Sequence, residues 1–360
     1  MTFRALAVSS VTVLLWLSAC GGDDERVGPG VDGGGMVGLD AGPGLDGASP
    51  LMDGGGMDTD GGDVPLDGDS RDAGPPPADA GPPMPEGCIT DVGAGHHVFT
   101  CEGIEYDVQV SASCAMGGCG LVLDVHGATM DAAVEDRNTN LRMLGASRGY
   151  VVVQPTAPGM TALGTSWDPA MDDPKVFRFV ELAARAFSID RDRVHMTGFS
   201  QGGFMSWRML CDHADVFASV APAAACGSLF RHCSFSGDER PAREIPVLYI
   251  HGRRDNIVSG CYGEQRDGVV SGWSMTPDSV VSMDSDYTWT RYTSASGNVF
   301  EYIEHGYSAY SSILGGHCMP GSPDIGSSRF GTSGFGCEQP APFDWGEAVI
   351  AFFEAHPARR

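Results

Sequence analysis

The stretch Gly198-Phe199-Ser200-Gln201-Gly202 carries the strongest signal in this chain of 360 residues. Residues 193–197, just before it, are rich in strand formers, and residues 203–210, just after it, carry apolar side chains at helical spacing. The stretch is therefore predicted to form a tight strand-to-helix turn with Ser200 at its tip. The flanking glycines leave room for a strained serine whose hydroxyl stands free above a sheet. This is the arrangement of a nucleophile elbow.

Two later segments could supply partners for this serine. Asp255 follows an apolar strand-like run at residues 246–250, and His317 follows two glycines on a loop before the last helix. A serine hydroxyl needs an imidazole to take its proton, and the imidazole needs a carboxylate to hold its tautomer. We therefore expect Ser200 as nucleophile, His317 as base and Asp255 as acid. Asp238 and Asp278 also lie between Ser200 and His317 and remain alternatives for the acid.

Attack on a carbonyl creates an oxyanion, which needs two positioned N–H donors. One donor is expected to be the backbone amide of Gln201, next to the nucleophile. The other is expected from the loop after the strand-like run 121–125, where the chain reads His126-Gly127-Ala128-Thr129. We assign it to the amide of Ala128. His126 and His251 are expected to serve the turns that they occupy.

These pieces resemble the secreted serine esterases of the α/β-hydrolase superfamily that include polyhydroxybutyrate depolymerases, feruloyl esterases and acetylxylan esterases. The resemblance covers residues 88–356, and its other matching pieces are residues 148–155, 166–167, 189–194 and 315–321. It implies a triad of Ser200, Asp255 and His317. It also offers Trp167 and Met319 as substrate-binding candidates, although a single tryptophan is as often part of a core or rim. Met319 stands where the family usually has a tryptophan.

The predicted fold class is α/β, with a doubly wound and mostly parallel sheet preceded by a disordered linker. Residues 88–360 suit one catalytic domain in which strand-like and helix-like runs alternate. Residues 261–310 fit this pattern poorly and are expected to form an edge hairpin or a lid. The predicted strands are 121–125, 151–154, 194–197, 218–221 and 247–250, and the predicted helices are 176–187, 204–213 and 343–356.

The first 87 residues are expected to lie outside this domain. Residues 1–20 have the features of a lipoprotein signal peptide, ending in the lipobox Leu17-Ser18-Ala19-Cys20. Lipidation at Cys20 would anchor the exported protein to a membrane, and we expect the outer membrane or the cell surface of a bacterium. Residues 21–87 are rich in Gly, Asp and Pro and lack apolar periodicity, so they are predicted to be a disordered acidic tether.

Charge and cysteine content restrict the possible partners. The formal net charge is −25, which argues against nucleic acid as a partner. Of the 11 cysteines, all but Cys20 lie in the catalytic region, and an even number there favours disulfides. A zinc site is disfavoured because no Cys-x-x-Cys pair occurs. The predicted local pairs are Cys114 with Cys119 and Cys226 with Cys233. A further hypothesis is a bridge from Cys318 to Cys261 or Cys337, which would rigidify the loop of His317.

These observations predict a monomeric carboxylic ester hydrolase that forms an acyl-enzyme and needs no metal or cofactor. The resemblance implies a polymeric substrate, either a polysaccharide carrying feruloyl or acetyl esters or a polyester of the polyhydroxybutyrate type. Two alternatives remain open. A serine peptidase or a thioesterase would use the same triad, and a hydrolase fold could be retained as a non-catalytic surface binding module.

Overall fold

The computed structural model describes residues 81–162, 164–230, 233–325 and 334–358. The predicted signal peptide, Cys20 and residues 21–80 of the predicted linker lie outside these ranges. The described chain begins to pack before residue 88, because the Met84 amide donates to the Ala186 carbonyl at 2.8 Å and Glu86 pairs with Arg185. Within the described residues, no helix is both long enough and apolar enough to cross a bilayer.

Twelve strands and six helices make up the described chain. The strands are β1 (Gly95–Cys101), β2 (Ile104–Val110), β3 (Gly120–Val125), β4 (Tyr150–Thr156), β5 (Gly159–Thr161), β6 (Gly164–Ser166), β7 (Val194–Phe199), β8 (Ser219–Ala223), β9 (Val247–Gly252), β10 (Thr276–Met283), β11 (Tyr287–Thr293) and β12 (Val299–His305). The helices are α1 (Ala132–Thr139), α2 (Leu141–Ser147), α3 (Pro169–Ala186), α4 (Gln201–Asp212), α5 (Tyr262–Gly272) and α6 (Trp345–Ala355).

Ten of these strands form one sheet in the order β1-β2-β4-β3-β7-β8-β9-β12-β11-β10. Six neighbouring strands of the sheet run parallel: β4, β3, β7, β8, β9 and β12. The two strands at each edge, β1 with β2 and β11 with β10, pair antiparallel with their neighbours. The chain moves from β3 outward to β4 and then returns to place β7 on the other side of β3. This reversal creates a topological switch point between β3 and β7, where open α/β sheets bind their ligands. The predicted doubly wound fold is confirmed.

The strands of the central sheet are buried on both faces, which explains their nearly unbroken apolar runs. One face packs against α3, α4 and α5, and the other packs against α1, α2 and α6. On β3, for example, Leu121 and Leu123 face the first helix layer while Val122 faces the second. The site at the end of β3 therefore stands on a rigid, two-sided core.

All five predicted strands and all three predicted helices are present. Helix α3 begins earlier than the apolar pattern suggested, because Asp168 caps its first turn and Pro169 occupies the first helical position. The poorly fitting region 261–310 contains α5 followed by β10, β11 and β12, which extend the sheet at one edge. An edge hairpin is therefore present there, and β10 is exposed along its whole length.

The ten cysteines of the catalytic region form five disulfides. Cys114 pairs with Cys119 as predicted, but the predicted Cys226–Cys233 bridge is wrong. The physical reason is side-chain direction, which sequence proximity does not determine. Cys226 faces Tyr249 and the start of α5, whereas Cys233 faces the end of α4. The pairs are Cys88–Cys101, Cys114–Cys119, Cys211–Cys233, Cys226–Cys261 and Cys318–Cys337.

Two buried acids lie between the central sheet and α1. Asp124 Oδ2 accepts hydrogen bonds from Thr139 Oγ1 at 2.9 Å and Gln154 Nε2 at 2.7 Å. Asp124 Oδ1 and Glu135 Oε2 have no hydrogen-bond partner within the described chain. Burial raises the pKa of Asp124 to about 6 and that of Glu135 well above 4.5, and each carboxyl affects the other. A proton retained between the two carboxyls would satisfy both free oxygens.

This pair makes stability depend on pH. The folded protein keeps a proton that the unfolded chain releases, so its free energy of unfolding should fall as pH rises above about 4.5. One retained proton corresponds to a loss of about 1.4 kcal/mol per pH unit. We expect Glu135→Gln to flatten this slope and Glu264→Gln, an exposed control on α5, to leave it unchanged. Denaturant unfolding from pH 4.5 to mildly alkaline pH measures the slopes; equal slopes in wild type and Glu135→Gln would contradict the prediction.

Candidate active site

Ser200 lies at the turn between β7 and α4, beside the switch point of the sheet. Its backbone has φ 53° and ψ −113°, a conformation that costs free energy for a residue with a side chain. The glycines around it allow the close approach of β3. A Cβ atom on Gly202 would lie 1.8 Å from the Val125 carbonyl oxygen, and one on Gly198 would lie 2.7 Å from the same atom. The turn therefore has the strained geometry expected of a nucleophile elbow.

His317 and Asp255 are hydrogen-bonded partners. His317 Nδ1 lies 2.7 Å from Asp255 Oδ2, and the other carboxylate oxygen accepts from the amides of Ile257 at 2.8 Å and Val258 at 2.7 Å. Burial alone would raise the pKa of Asp255, but the charge and the hydrogen bond of His317 outweigh it and leave the pKa lowered. Asp255 is thus an ionised acceptor that fixes the orientation of the imidazole through its Nδ1–H. In the described chain, neither Asp238 nor Asp278 contacts His317.

The loops that carry Asp255 and His317 are joined through their backbones. The Gly316 amide donates to the Arg254 carbonyl at 2.7 Å, and the Asn256 amide donates to the Leu314 carbonyl at 3.2 Å. A Cβ atom on Gly252 would lie 2.2 Å from the Gly316 carbonyl oxygen. The glycines before both residues are therefore required by the close contact of the two loops.

His317 also lies next to the serine turn. Its ring packs against Phe199, the residue before Ser200, with 4.7 Å between ring centroids. Both Ser200 and His317 are largely buried, with 8% and 2% of their surfaces exposed. No hydrogen bond joins the Ser200 hydroxyl to His317 within the described ranges, and such bonds often tighten only when substrate binds.

The turn after β3 lies directly beside Ser200. A Cβ atom on Gly127 would be 3.1 Å from Ser200 Cβ. His126 Nε2 accepts from the Ala157 amide at 2.9 Å, so its Nδ1 carries the proton and donates to the Gly127 carbonyl at 2.6 Å. This bond orients the peptide plane whose other side is the Ala128 N–H. The Gln201 N–H begins α4 and has no acceptor in its own helix.

Trp167 and the Gln201 side chain brace this turn. The indole of Trp167 is only 5% exposed and donates to the His126 carbonyl at 3.0 Å. The Trp167 amide donates to Gln201 Oε1, also at 3.0 Å. Trp167 therefore lies beneath the turn in the core. Its role as a substrate-binding residue stays a prediction.

Met319 lies on a loop that is fastened at several points. Its side chain is 1% exposed, its amide donates to the Phe335 carbonyl at 2.7 Å, and the Cys318–Cys337 disulfide links the residues beside it. Asn138 on α1 adds a further anchor, because its Oδ1 accepts from Ser322 Oγ at 3.1 Å and from the Phe335 amide at 3.0 Å. The loop of His317 is thus held both covalently and by α1.

Sequence reasoning missed some of these supports. Asn138 and the Gln201 side chain carry no local signal, because the groups that they bind are distant in sequence. The only sequence signal for the bracing role of His126 is its position before a glycine in a turn. One cluster has metal-ligating residue types, His305 with Cys318 and Cys337, but its two cysteines are joined to each other.

The doubly wound sheet, with a strained serine at its switch point and a histidine–aspartate pair beside it, is an α/β-hydrolase-type fold. A family model described as the prolyl oligopeptidase family matches residues 136–246. The chain is 28% identical over 161 residues to a bifunctional acetylxylan esterase/xylanase, XynS20E, of Neocallimastix patriciarum, covering 44% of this chain and 22% of that protein. It is 33% identical over 121 residues to feruloyl esterase B of Piromyces equi, covering 32% of this chain and 22% of that protein.

Among solved structures, acetyl xylan esterase from Aspergillus awamori matches with a TM-score of 0.48 and 14% identity, over 59% of this chain and 93% of that one. The matched region spans about a fifth of the length of each of the two curated relatives. The sequence matches confirm the resemblance of this chain to serine esterases of the α/β-hydrolase superfamily.

The Cys318–Cys337 bridge provides a test of how the His317 loop is held. Replacing both cysteines by alanine should lower kcat for ester hydrolysis by about tenfold or more, because His317, the predicted base, would lose its alignment with Ser200. It should also lower the free energy of unfolding by about 2–4 kcal/mol. The matched control is the Cys88→Ala, Cys101→Ala double variant, which should lose stability but retain kcat. Equal kcat in both double variants would contradict a positioning role for the bridge.

Proposed function

We propose that this protein is a carboxylic ester hydrolase that uses Ser200 as nucleophile, His317 as general base and Asp255 as the acid of the triad. The observation that carries the proposal is the 2.7 Å hydrogen bond between His317 and Asp255, beside a serine held at φ 53°. Strain at a serine is costly, and it is found where a hydroxyl must be presented to a substrate.

The proposed reaction has two balanced halves. Ser200 Oγ attacks the ester carbonyl carbon while His317 Nε2 takes the hydroxyl proton, and the amides of Gln201 and Ala128 stabilise the oxyanion. The C–O bond to the alcohol then breaks, and His317 returns the proton to the departing alcohol. A water molecule, deprotonated by His317, next attacks the acyl-enzyme. The acid is released and Ser200 regains its proton.

The proposed substrates are acetyl or feruloyl esters on a polysaccharide, or a polyester of the polyhydroxybutyrate type. Support for the first class comes from the names of the relatives, an acetylxylan esterase and a feruloyl esterase. An acidic chain with a net charge of −25 also favours an uncharged polymer over a polyanion. Trp167 and Met319 remain the proposed substrate-binding candidates, and we propose that the protein acts as a monomer.

A peptidase is the second candidate, because the prolyl oligopeptidase family model matches residues 136–246. That family's name denotes cleavage of peptides, and the same triad can attack an amide. The choice between ester and amide rests on the leaving group and on the substrate pocket.

Hydrolysis of 4-nitrophenyl acetate, butyrate and octanoate tests the proposed function, with a peptide 4-nitroanilide as the amide arm. We expect ester turnover by the wild type and a loss of about six orders of magnitude in kcat for Ser200→Ala. The matched control, Ser271→Ala on the exposed side of α5, should retain full turnover. A folded wild type that cleaves only the anilide would favour the peptidase. Turnover of neither substrate would favour a binding module.

We also propose that the exported chain is lipid-anchored at Cys20, with residues 21–80 as a disordered tether; the predicted tether ends before residue 88, because Met84 and Glu86 already pack on the catalytic domain. The support is the lipobox at residues 17–20 and the composition that follows it. The full-length chain should remain in the membrane fraction and partition into detergent, because more than one acyl chain gives stable anchoring. Cys20→Ser should move it to the soluble fraction. Membrane retention of Cys20→Ser would contradict lipidation at this residue.

A further inference from the structure

A second histidine contacts the carboxylate that holds His317. His251 lies near the end of β9 and is completely buried. Its Nε2 lies 2.9 Å from the Val258 carbonyl oxygen and 3.4 Å from Asp255 Oδ2. Its Nδ1 lies 3.0 Å from the hydroxyl of Tyr249. The proposed triad does not use His251.

The surroundings decide which nitrogen of His251 carries the proton. Nε2 faces a carbonyl oxygen and a carboxylate oxygen, and both are acceptors only. Nε2 must therefore be the protonated nitrogen, which makes Nδ1 an acceptor and the Tyr249 hydroxyl its donor. The hydrogen bonds run in one direction, from Tyr249 through His251 to the Asp255 loop.

The Tyr249 hydroxyl and the His251 Nε2–H, the two donors in this series of hydrogen bonds, both keep their protons. Burial lowers the pKa of His251 to about 4, so the imidazole is neutral at working pH. Burial raises the pKa of the Tyr249 hydroxyl well above 10, so it stays protonated. His251 thus presents a fixed N–H dipole to Asp255 without adding a charge.

We propose that His251 is a positioning residue that sets the basicity of His317 through Asp255. It acts in two ways, by binding the Val258 carbonyl on the Asp255 loop and by placing its Nε2–H beside the oxygen that also accepts from His317. The inference rests on the proposed triad and extends it to a fourth side chain.

The physical consequence is a less basic carboxylate. Asp255 Oδ2 accepts from His317 at 2.7 Å and lies 3.4 Å from His251 Nε2, whose N–H donates to the Val258 carbonyl, while Oδ1 is already occupied by two amides. A hydrogen-bond donor near the charged form stabilises it and lowers its affinity for protons. Removing that N–H should strengthen the hold of Asp255 on the His317 imidazolium and so move the acidic limb of the pH profile to higher pH. The carboxylate itself should stay in place because the two amides bind Oδ1.

Other titratable groups around His251 are buried or partly buried. Tyr262 stacks on its ring with centroids 5.1 Å apart, and Tyr249 lies edge-on at 5.9 Å. His305 on β12 is a further neighbour, and burial lowers its pKa to about 3. The remaining titratable groups facing His251 are Asp255 and His317.

A matched pair of variants at residue 251 distinguishes the loss of the N–H donor from the loss of the imidazole ring. In His251→Gln the amide nitrogen reaches the position of Nε2, so the donor to the Asp255 loop is kept. In His251→Asn the amide ends near the position of Nδ1, so the donor is lost. The acidic limb of the pH profile of kcat/KM on 4-nitrophenyl acetate should move upward in His251→Asn by on the order of half a pH unit or more. It should stay near its wild-type position in His251→Gln, and KM should change little in both.

His195→Gln is the control for losing a buried histidine elsewhere, since His195 bonds Ser219 on the neighbouring strand β8. Its profile should match that of the wild type. The low-field proton resonance of His317 Nδ1–H gives a readout independent of turnover, and it should move further downfield in His251→Asn only. Unchanged or downward-shifted profiles, or an unshifted resonance, would overturn the inference. An inactive wild type with the predicted resonance shifts would instead reject the proposed function alone.

Discussion

The close approach of the end of β3 to the turn after β7 is the constraint on which the rest of the site depends. The Val125 carbonyl oxygen occupies the space that a side chain on Gly202 would need. This contact brings the Gly127–Ala128 peptide beside Ser200 and keeps the serine in its strained conformation. The sheet reverses its winding between these two strands, so the two turns meet at a crevice rather than beneath a crossing helix.

A second close contact positions His317, the proposed base. The loops after β9 and β12 meet backbone to backbone at Gly252 and Gly316, and this brings Asp255 to His317. The disulfide Cys318–Cys337 and the Asn138 side chain then fasten the histidine loop from its far side. A base carried on a loop gains precision in this way, because covalent and polar anchors replace the packing that a helix or strand would provide.

Burial affects the pKa values of the titratable groups around the site more than the net charge of the chain does. The neutral imidazoles of His126 and His251 serve as directional hydrogen-bonding groups, since burial lowers the pKa of each to about 4. Asp124 and Glu135 show the opposite effect, because burial favours the protonated carboxyl. Asp255 differs from this pair, because its pKa is lowered by His317 and its Oδ1 accepts from two backbone amides.

The sequence by itself determined the fold class, because apolar runs, helical spacing and glycine-flanked turns are local properties of the chain. It also determined the order of Ser200, Asp255 and His317, since each stands at the end of a recognisable strand or loop. Only the tertiary structure decided the partners of Asp124, the pairing of Cys226 with Cys261, and the bracing by Asn138 and Trp167. These contacts join residues distant in sequence, and the direction of a side chain depends on packing that no local pattern encodes.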